Sequence, residues 1–238
     1  MNFRNLGAII NDHLRLRFIN AAFKRYGRKK ELLDLGCGVK PFKKIYSQYC
    51  EVSVGIDVPA SPHSKTEVDV IYDGKNIPFE NNRFDYVLCT EVMEHVPEPA
   101  AFLREIHRVM KPDGILIMTT PFLVPLHEEP YDFYRYTKHG IRHLFSHTGF
   151  SLEHIESFSG YAGVLIAFLV QPQLKVWNKI SKWLQLKIIY SAYNPFILLG
   201  VVIPQLMYLM IYGKKNYARP DKLTNYTPRG YGYIGRKV

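Results

Sequence analysis

This chain of 238 residues is 47% hydrophobic, 14% aromatic and 22% charged, a balance that excludes wholesale disorder and suits one compact domain with a sizeable core. Its three cysteines, Cys37, Cys50 and Cys89, are odd in number and widely spaced, so neither a disulfide framework nor a CxxC metal site is expected, and a reducing cytoplasmic compartment is. The net charge of +10, from 31 Lys and Arg against 21 Asp and Glu, asks for an anionic partner.

The N-terminal region carries Asp12, His13, Arg15 and Arg17 among its apolar residues, which predicts no secretory leader. Leu14, Phe18, Ala22 and Tyr26 recur at helical spacing and predict an amphipathic helix over about 9–26. Residues 31–35 form a first strand, stopped by the glycine turn 36–38. Pro41 opens a helix to about Tyr49. Strands follow at 52–56, near 66–72, at 84–89 and at 115–118, the last an apolar run buried on both faces. The helix 100–110 carries Phe102, Leu103, Ile106 and Val109 on one face, and Lys111-Pro-Asp-Gly114 reads as a turn. A helix at 137–148 and a strand at 150–158 complete the alternation, which predicts a parallel, doubly wound α/β sheet of the Rossmann type. A seventh strand is expected within 230–237. The expected organisation is one domain from 1–159 and 225–238, interrupted by an apolar and basic helical insertion at 160–224.

In such a sheet a ligand binds beyond the carboxyl ends of the strands. The turn Asp34-Leu-Gly36-Cys-Gly38 lets backbone approach a ligand closely, although the third glycine of the dinucleotide fingerprint is missing. Asp57 ends the second strand, placed to accept hydrogen bonds from both hydroxyls of a ribose. Asp73-Gly74 follows the third strand, and there a carboxylate can meet the exocyclic amine of an adenine or simply form a turn.

The blocks LLDLGCG (32–38), GID (55–57), YDGKNIPFENNRFDYVLCTEVMEHV (72–96) and FLREIHRVMKPDGILIMTTP (102–121), with the last strand near 230–237, occur in one order. Together they resemble the class I S-adenosylmethionine-dependent methyltransferases, in the small-molecule branch that includes quinone-biosynthesis enzymes. The resemblance implies S-adenosyl-L-methionine as cofactor. Gly36 and Gly38 would pass its methionine portion, Asp34 would steer the turn, and Cys37 would pack there. Asp57 and Val58 would hold the ribose, Asp73 and Gly74 would border the adenine, and Thr90 and Glu91 would line the methyl-donor end. His95 recurs in the EVMEH-type motif, as loop packing or as a catalytic group.

A hydroxyl acceptor must lose its proton, commonly to His or Glu. The segment 125–137 follows the fifth strand and holds His127, Glu128, Tyr131, Tyr134 and Arg135. It suits a lid that binds and deprotonates a polar acceptor such as a sugar, with His127 as the base; a polar surface loop is the alternative. Its HEEPYDFYRYT run also resembles methyltransferases associated with surface glycans.

The charge is unevenly placed. Residues 161–238 hold eleven basic residues against Asp221 alone, which leaves 1–160 balanced at 20 of each sign. On a helical wheel over 172–187, Lys175, Lys179 and Lys182 oppose Trp177, Ile180 and Leu184, and 26 uncharged residues follow at 188–213. A basic helix with tryptophan on its apolar face is the pattern of an interfacial membrane element. Pro195 and Pro204 break the uncharged run, so a monotopic dip on the cytoplasmic membrane face through 172–215 is expected rather than a span. A substrate lid or dimer interface is the alternative for this insertion. Nucleic acid is the weaker partner. The expected activity is O-methylation of a sugar or a lipid-linked or isoprenoid intermediate. The alternatives are a soluble small-molecule or quinone-precursor methyltransferase, an RNA methyltransferase, and a non-catalytic membrane partner of the same fold.

Overall fold

A computed structural model describes residues 9–161, 163–169, 198–212 and 228–238. Chain order is α1 (Ile9–Tyr26), β1 (Lys29–Leu35), α2 (Lys43–Tyr46), β2 (Cys50–Asp57), β3 (Val70–Ile71), β4 (Phe84–Thr90), α3 (Pro99–Val109), β5 (Met110–Pro121), α4 (Lys138–Ser146), β6 (Phe150–Phe158) and, last, β7 (Gly230–Lys237). The seven strands form one sheet in the order β3-β2-β1-β4-β5-β7-β6. Strands β1 to β5 pair in parallel, whereas β7 runs antiparallel to β5. The sheet is therefore mixed rather than wholly parallel. Alternation of apolar residues marks a strand but carries no direction.

The central strands are buried because both faces are covered. Tyr86 to Cys89 of β4 and Ile115 to Thr120 of β5 are almost fully excluded from water, as expected for parallel strands between helical layers. Helix α3 buries Phe102, Leu103, Ile106 and Val109, the face expected from their spacing. Thr137 caps α4 by accepting from the Gly140 N–H at 3.0 Å, and Ile141 and Phe145 face inward.

Three elements differ from their sequence patterns for identifiable reasons. Helix α2 ends at Tyr46 and gives way to tight turns, with Gln48 N–H donating to Ile45 and Tyr49 N–H to Tyr46. Strand β3 is only two residues long, and just before it Asp69 turns its carboxylate onto the Gly55 N–H and Lys40. The expected turn at 111–114 sits inside β5, where β4 advances from Phe84 to Tyr86 while its partner advances from Met110 to Ile115. That offset is a bulge, with Asp113 at a φ of +60°.

The chain divides into two compact units. One holds Leu16–Glu156 with Gly230–Val238 and contains the sheet and its flanking helices. The other comprises the described residues within 1–15 and 157–229. In the latter, helix Ile203–Tyr212 bears no charge and exposes Leu206, Met207 and Met210. The lysine- and tryptophan-bearing segment expected to meet a membrane lies, apart from 198–212, outside the described residues. No helix among the described residues is long and apolar enough to cross a membrane.

Candidate active site

Strand order reverses between β1 and β4, so their carboxyl ends open a crevice. Leu35 pairs with Cys89, which sets the turn after β1 beside Thr90 and Glu91. Gly36 adopts a φ of +71°, and a Cβ there would meet Val92 Cγ2 at 2.3 Å. Gly38, at +49°, lies against His63. The turn is thus pressed onto the loop after β4, where only a glycine fits.

The carboxylates around this turn have different environments. Asp34 is buried, its Oδ2 has no hydrogen-bond partner, and burial pushes its carboxyl up to about 7. Asp57 Oδ1 accepts the Val58 N–H at 2.8 Å, and Oδ2 meets Lys65 Nζ at 3.2 Å. Asp73 closes its own turn, accepting from the N–H groups of Lys75 and Asn76 and from the Asn76 amide. Three of its roughly four acceptor positions are therefore used locally. Gly74 packs against Val58, where an added Cβ would come within 3.2 Å of Val58 Cγ1, and so brings the loops after β2 and β3 together.

Cys37 is buried, and that burial pushes its thiol up to about 12, which makes it a packing residue rather than a nucleophile. Glu91 holds a left-handed φ of +54°, with its N–H on the Thr119 carbonyl and Oε1 accepting from the Thr119 hydroxyl. A strained non-glycine residue at the mouth of a crevice is characteristic of binding sites.

The segment after β5 folds back over the loop after β4. Phe133 N–H donates to the Glu94 carbonyl at 2.8 Å, and the Tyr136 hydroxyl donates to the Met93 carbonyl. Glu128 Oε1 lies 3.4 Å from His63 Nε2, the same histidine that packs on Gly38. The segment thereby reaches the glycine turn. Arg135 grips Asp132 through both carboxylate oxygens, at 2.5 and 2.7 Å. That grip holds the Asp132 carboxyl down to about 2.

The guanidinium expected to bind an acceptor is therefore committed within the segment, to Asp132 and to the Pro125 and Tyr134 carbonyls. The Tyr134 hydroxyl donates to the Pro97 carbonyl, while Tyr131 is exposed and contributes its backbone carbonyl to His95. His95 and His127 meet edge to face, with ring centroids 5.0 Å apart. Between them lies Glu94, fully buried, with neither carboxylate oxygen hydrogen-bonded. Burial pushes its carboxyl well up, and the Glu91 charge adds to that. Glu94, Asp132 and His63 were not legible as site residues in the sequence; their only signal was adjacency to His95, to the lid tyrosines and to the proline-rich loop after β2.

A family model described as a methyltransferase domain matches residues 10–164. The chain belongs to this methyltransferase family. It is of the class that uses S-adenosylmethionine, and the crevice fits that cofactor: Asp34, behind the glycine turn, keeps a buried carboxylate oxygen without a hydrogen-bond partner. The methyltransferase is 33% identical over 102 residues to a ubiquinone biosynthesis O-methyltransferase of Pseudomonas aeruginosa (strain LESB58), across 38% of this chain and 44% of that protein. The like-named protein of Haemophilus ducreyi is 28% identical over 106 residues, across 38% and 45%. The methyltransferase thus spans about half the length of the curated relatives it matches. Among solved structures, the [4+2]-cyclase SpnF superposes with a TM-score of 0.55 at 18% identity, covering 92% of this chain and 79% of that one. The YcgJ protein of Bacillus subtilis gives 0.51 at 14%, covering 94% and 98%. These likenesses show the fold of the methyltransferase, and the cyclase shows that the fold alone does not name a reaction.

Proposed function

We propose that this methyltransferase moves a methyl group from S-adenosylmethionine to a hydroxyl of a small acceptor, a sugar or a lipid-linked or isoprenoid intermediate, held under the segment 123–136. One observation carries the reading: Glu94 and His95, in the loop that follows Glu91, cluster with His127 of the segment after β5, and Glu128 links them through His63 to the glycine turn. A proton-accepting centre and a cofactor crevice thus share one mouth. When bound, S-adenosylmethionine supplies an activated methyl, so the protein's part is positioning and proton removal.

The chain's own residues divide that part. The turn at Gly36 and Gly38 admits the methionine end, and the unpartnered Asp34 oxygen suits an ammonium group. Asp57 takes the ribose hydroxyls in place of Lys65, with Val58 beside it. Asp73 and Gly74 shape the adenine border, and Thr90 and Glu91 face the methyl. His95 and His127 hold the acceptor's hydroxyl in place for loss of its proton. Glu128, Tyr131 and Tyr134 contact the acceptor, and Arg135 contributes by holding Asp132 rigid. The test is calorimetric titration with S-adenosylmethionine. Binding is expected, and Asp57→Ala should weaken it about 100-fold, the worth of charge-assisted bonds to two hydroxyls. A protein that binds no cofactor, or binds it equally well with Asp57→Ala, overturns the reading.

The acceptor class rests on other observations. The relatives' names favour an oxygen acceptor and support a quinone precursor as the second reading. A lipid-linked acceptor is favoured by the uncharged helix Ile203–Tyr212 with its exposed Leu206, Met207 and Met210, and by the eleven basic residues of the last third. Basic residues beside an apolar surface add about 1 kcal/mol each on an anionic bilayer. The protein should therefore pellet with vesicles containing phosphatidylserine and be released by high salt. Recovery in the supernatant with such vesicles would sink the placement at the cytoplasmic membrane face.

A further inference from the structure

Glu94 belongs to the single 3-10 turn Met93–His95 just beyond β4, and its Oε1 lies 3.8 Å from His95 Nε2 and 3.9 Å from His127 Nε2. Both separations exceed a hydrogen bond. The imidazoles are oriented by their other nitrogens. His95 Nδ1 is 2.9 Å from the Tyr131 carbonyl oxygen, which only accepts, so Nδ1 carries the hydrogen. His127 Nδ1 lies 3.3 Å from both Asp132 Oδ2 and the Pro125 carbonyl and 3.5 Å from Arg135 Nη2. His95 Nε2 therefore turns a lone pair toward the Glu94 carboxylate, and His127 Nε2 faces the same carboxylate. Protonating both rings instead would set two like charges side by side, with centroids 5.0 Å apart.

Three potential ligand atoms thus converge within 4.8 Å of one another, and one belongs to a carboxylate fully excluded from water with neither oxygen hydrogen-bonded. We propose that Glu94, His95 and His127 bind a divalent transition-metal ion of the zinc class.

The geometry is close to what such an ion needs. A point equidistant from the three atoms lies about 2.2–2.5 Å from each, so shifts of a few tenths of an ångström reach the roughly 2.0–2.2 Å of zinc bonds to nitrogen and oxygen. Two histidines and one carboxylate, with further positions open, form a ligand set suited to catalytic zinc and related ions. The outer partners are in place: a carbonyl on His95, and on His127 the Asp132 carboxylate that Arg135 clamps. Glu128 Oε2, 3.9 Å from His95 Nε2, supplies a second carboxylate to balance a dication.

The role of the ion rests on the hydroxyl-methylation reading above. An acceptor hydroxyl on the open position ionises near neutral pH. With an ion held there, the acceptor's O–H bond would break with its pair on oxygen and its proton on Glu128, and that oxygen would bond the methyl as the methyl–sulfur bond breaks with its pair on sulfur, releasing S-adenosylhomocysteine.

The test uses chelator-treated full-length protein and the metal alone. Zinc titration with stoichiometry by plasma mass spectrometry, and cobalt(II) binding followed by its visible absorption, should both show one ion per chain. Glu94→Gln, nearly isosteric at a carboxylate that makes no hydrogen bond, and His127→Gln, in the half-exposed segment, should each weaken binding at least 100-fold. Asp132→Asn should cost about 10–100-fold. Calorimetry should show S-adenosylmethionine still bound by all three. If wild-type protein that binds the cofactor takes up no metal, or if uptake is indifferent to both Glu94→Gln and His127→Gln, the metal site is refuted while the methyltransferase reading stands. Metal bound with no cofactor affinity supports the site and refutes the reading it was joined to.

Discussion

Gly36→Ala should destabilise the protein by about 2–4 kcal/mol and abolish S-adenosylmethionine binding. Two costs add. The left-handed φ of +71° costs an alanine about 1 kcal/mol or more. The new methyl would sit 2.3 Å from Val92 Cγ2, an overlap relieved only by moving the loop between β4 and the Met93–His95 turn; overpacking of this kind costs about 1–3 kcal/mol. Thermal unfolding should fall by about 6–12 °C for a chain of this size. Val92→Ala in the same chain removes the obstructing Cγ2 and should recover the overpacking share of the loss, leaving the backbone share. An unchanged melting temperature in Gly36→Ala would show that the turn does not press on Val92.

Asp34→Asn should remove the pH dependence of stability that Asp34 contributes. An unfolded aspartate ionises near 3.9, whereas burial holds Asp34 up to about 7 in the fold. Between those values the folded state keeps a proton that the unfolded state has released. Stability from this group is therefore lost as pH rises from about 4 to 7, by about 4 kcal/mol in total. Asparagine keeps the shape and removes the titration. Without cofactor, Asp34→Asn should melt higher than wild type at pH 8, with no such advantage at pH 5. A constant offset at both pH values would mean that Asp34 ionises normally. The same linkage acts on the cofactor: if its ammonium meets the ionised Asp34, binding below pH 7 must release a proton. Affinity should then weaken toward acid, about tenfold per unit well below pH 7, in wild type but not in Asp34→Asn. Titrations in buffers of different ionisation enthalpy read the released proton directly.

Much of the fold is a local matter. The spacing of Phe102, Leu103, Ile106 and Val109 encodes a helix face wherever the chain runs, and the runs in β1, β4 and β5 encode strands buried on both sides. The glycine turn and the acid ending β2 were legible too, because their spacing follows from the βαβ unit itself. Where the pattern misled, a distant residue intervened. Asp69, just before β3, pairs with Lys40, 29 positions away, and β7 runs antiparallel to β5, a direction that its own alternation does not carry.

The sequence by itself determined the methyltransferase architecture, the cofactor turn and the separation of a neutral domain from a basic last third. Tertiary structure alone decided what the polar side chains do. Arg135 and Asp73 carry charges suited to a ligand, yet one is held by Asp132 and the other by its own turn. Glu94 looks in sequence like any surface glutamate, yet packing buries it completely and sets it opposite His127, 33 positions on. The reason is physical: periodicity is a property of a short stretch of chain, whereas desolvation and the pairing of charges depend on which distant segment closes over a residue. The chemistry proposed for this site depends on that closure.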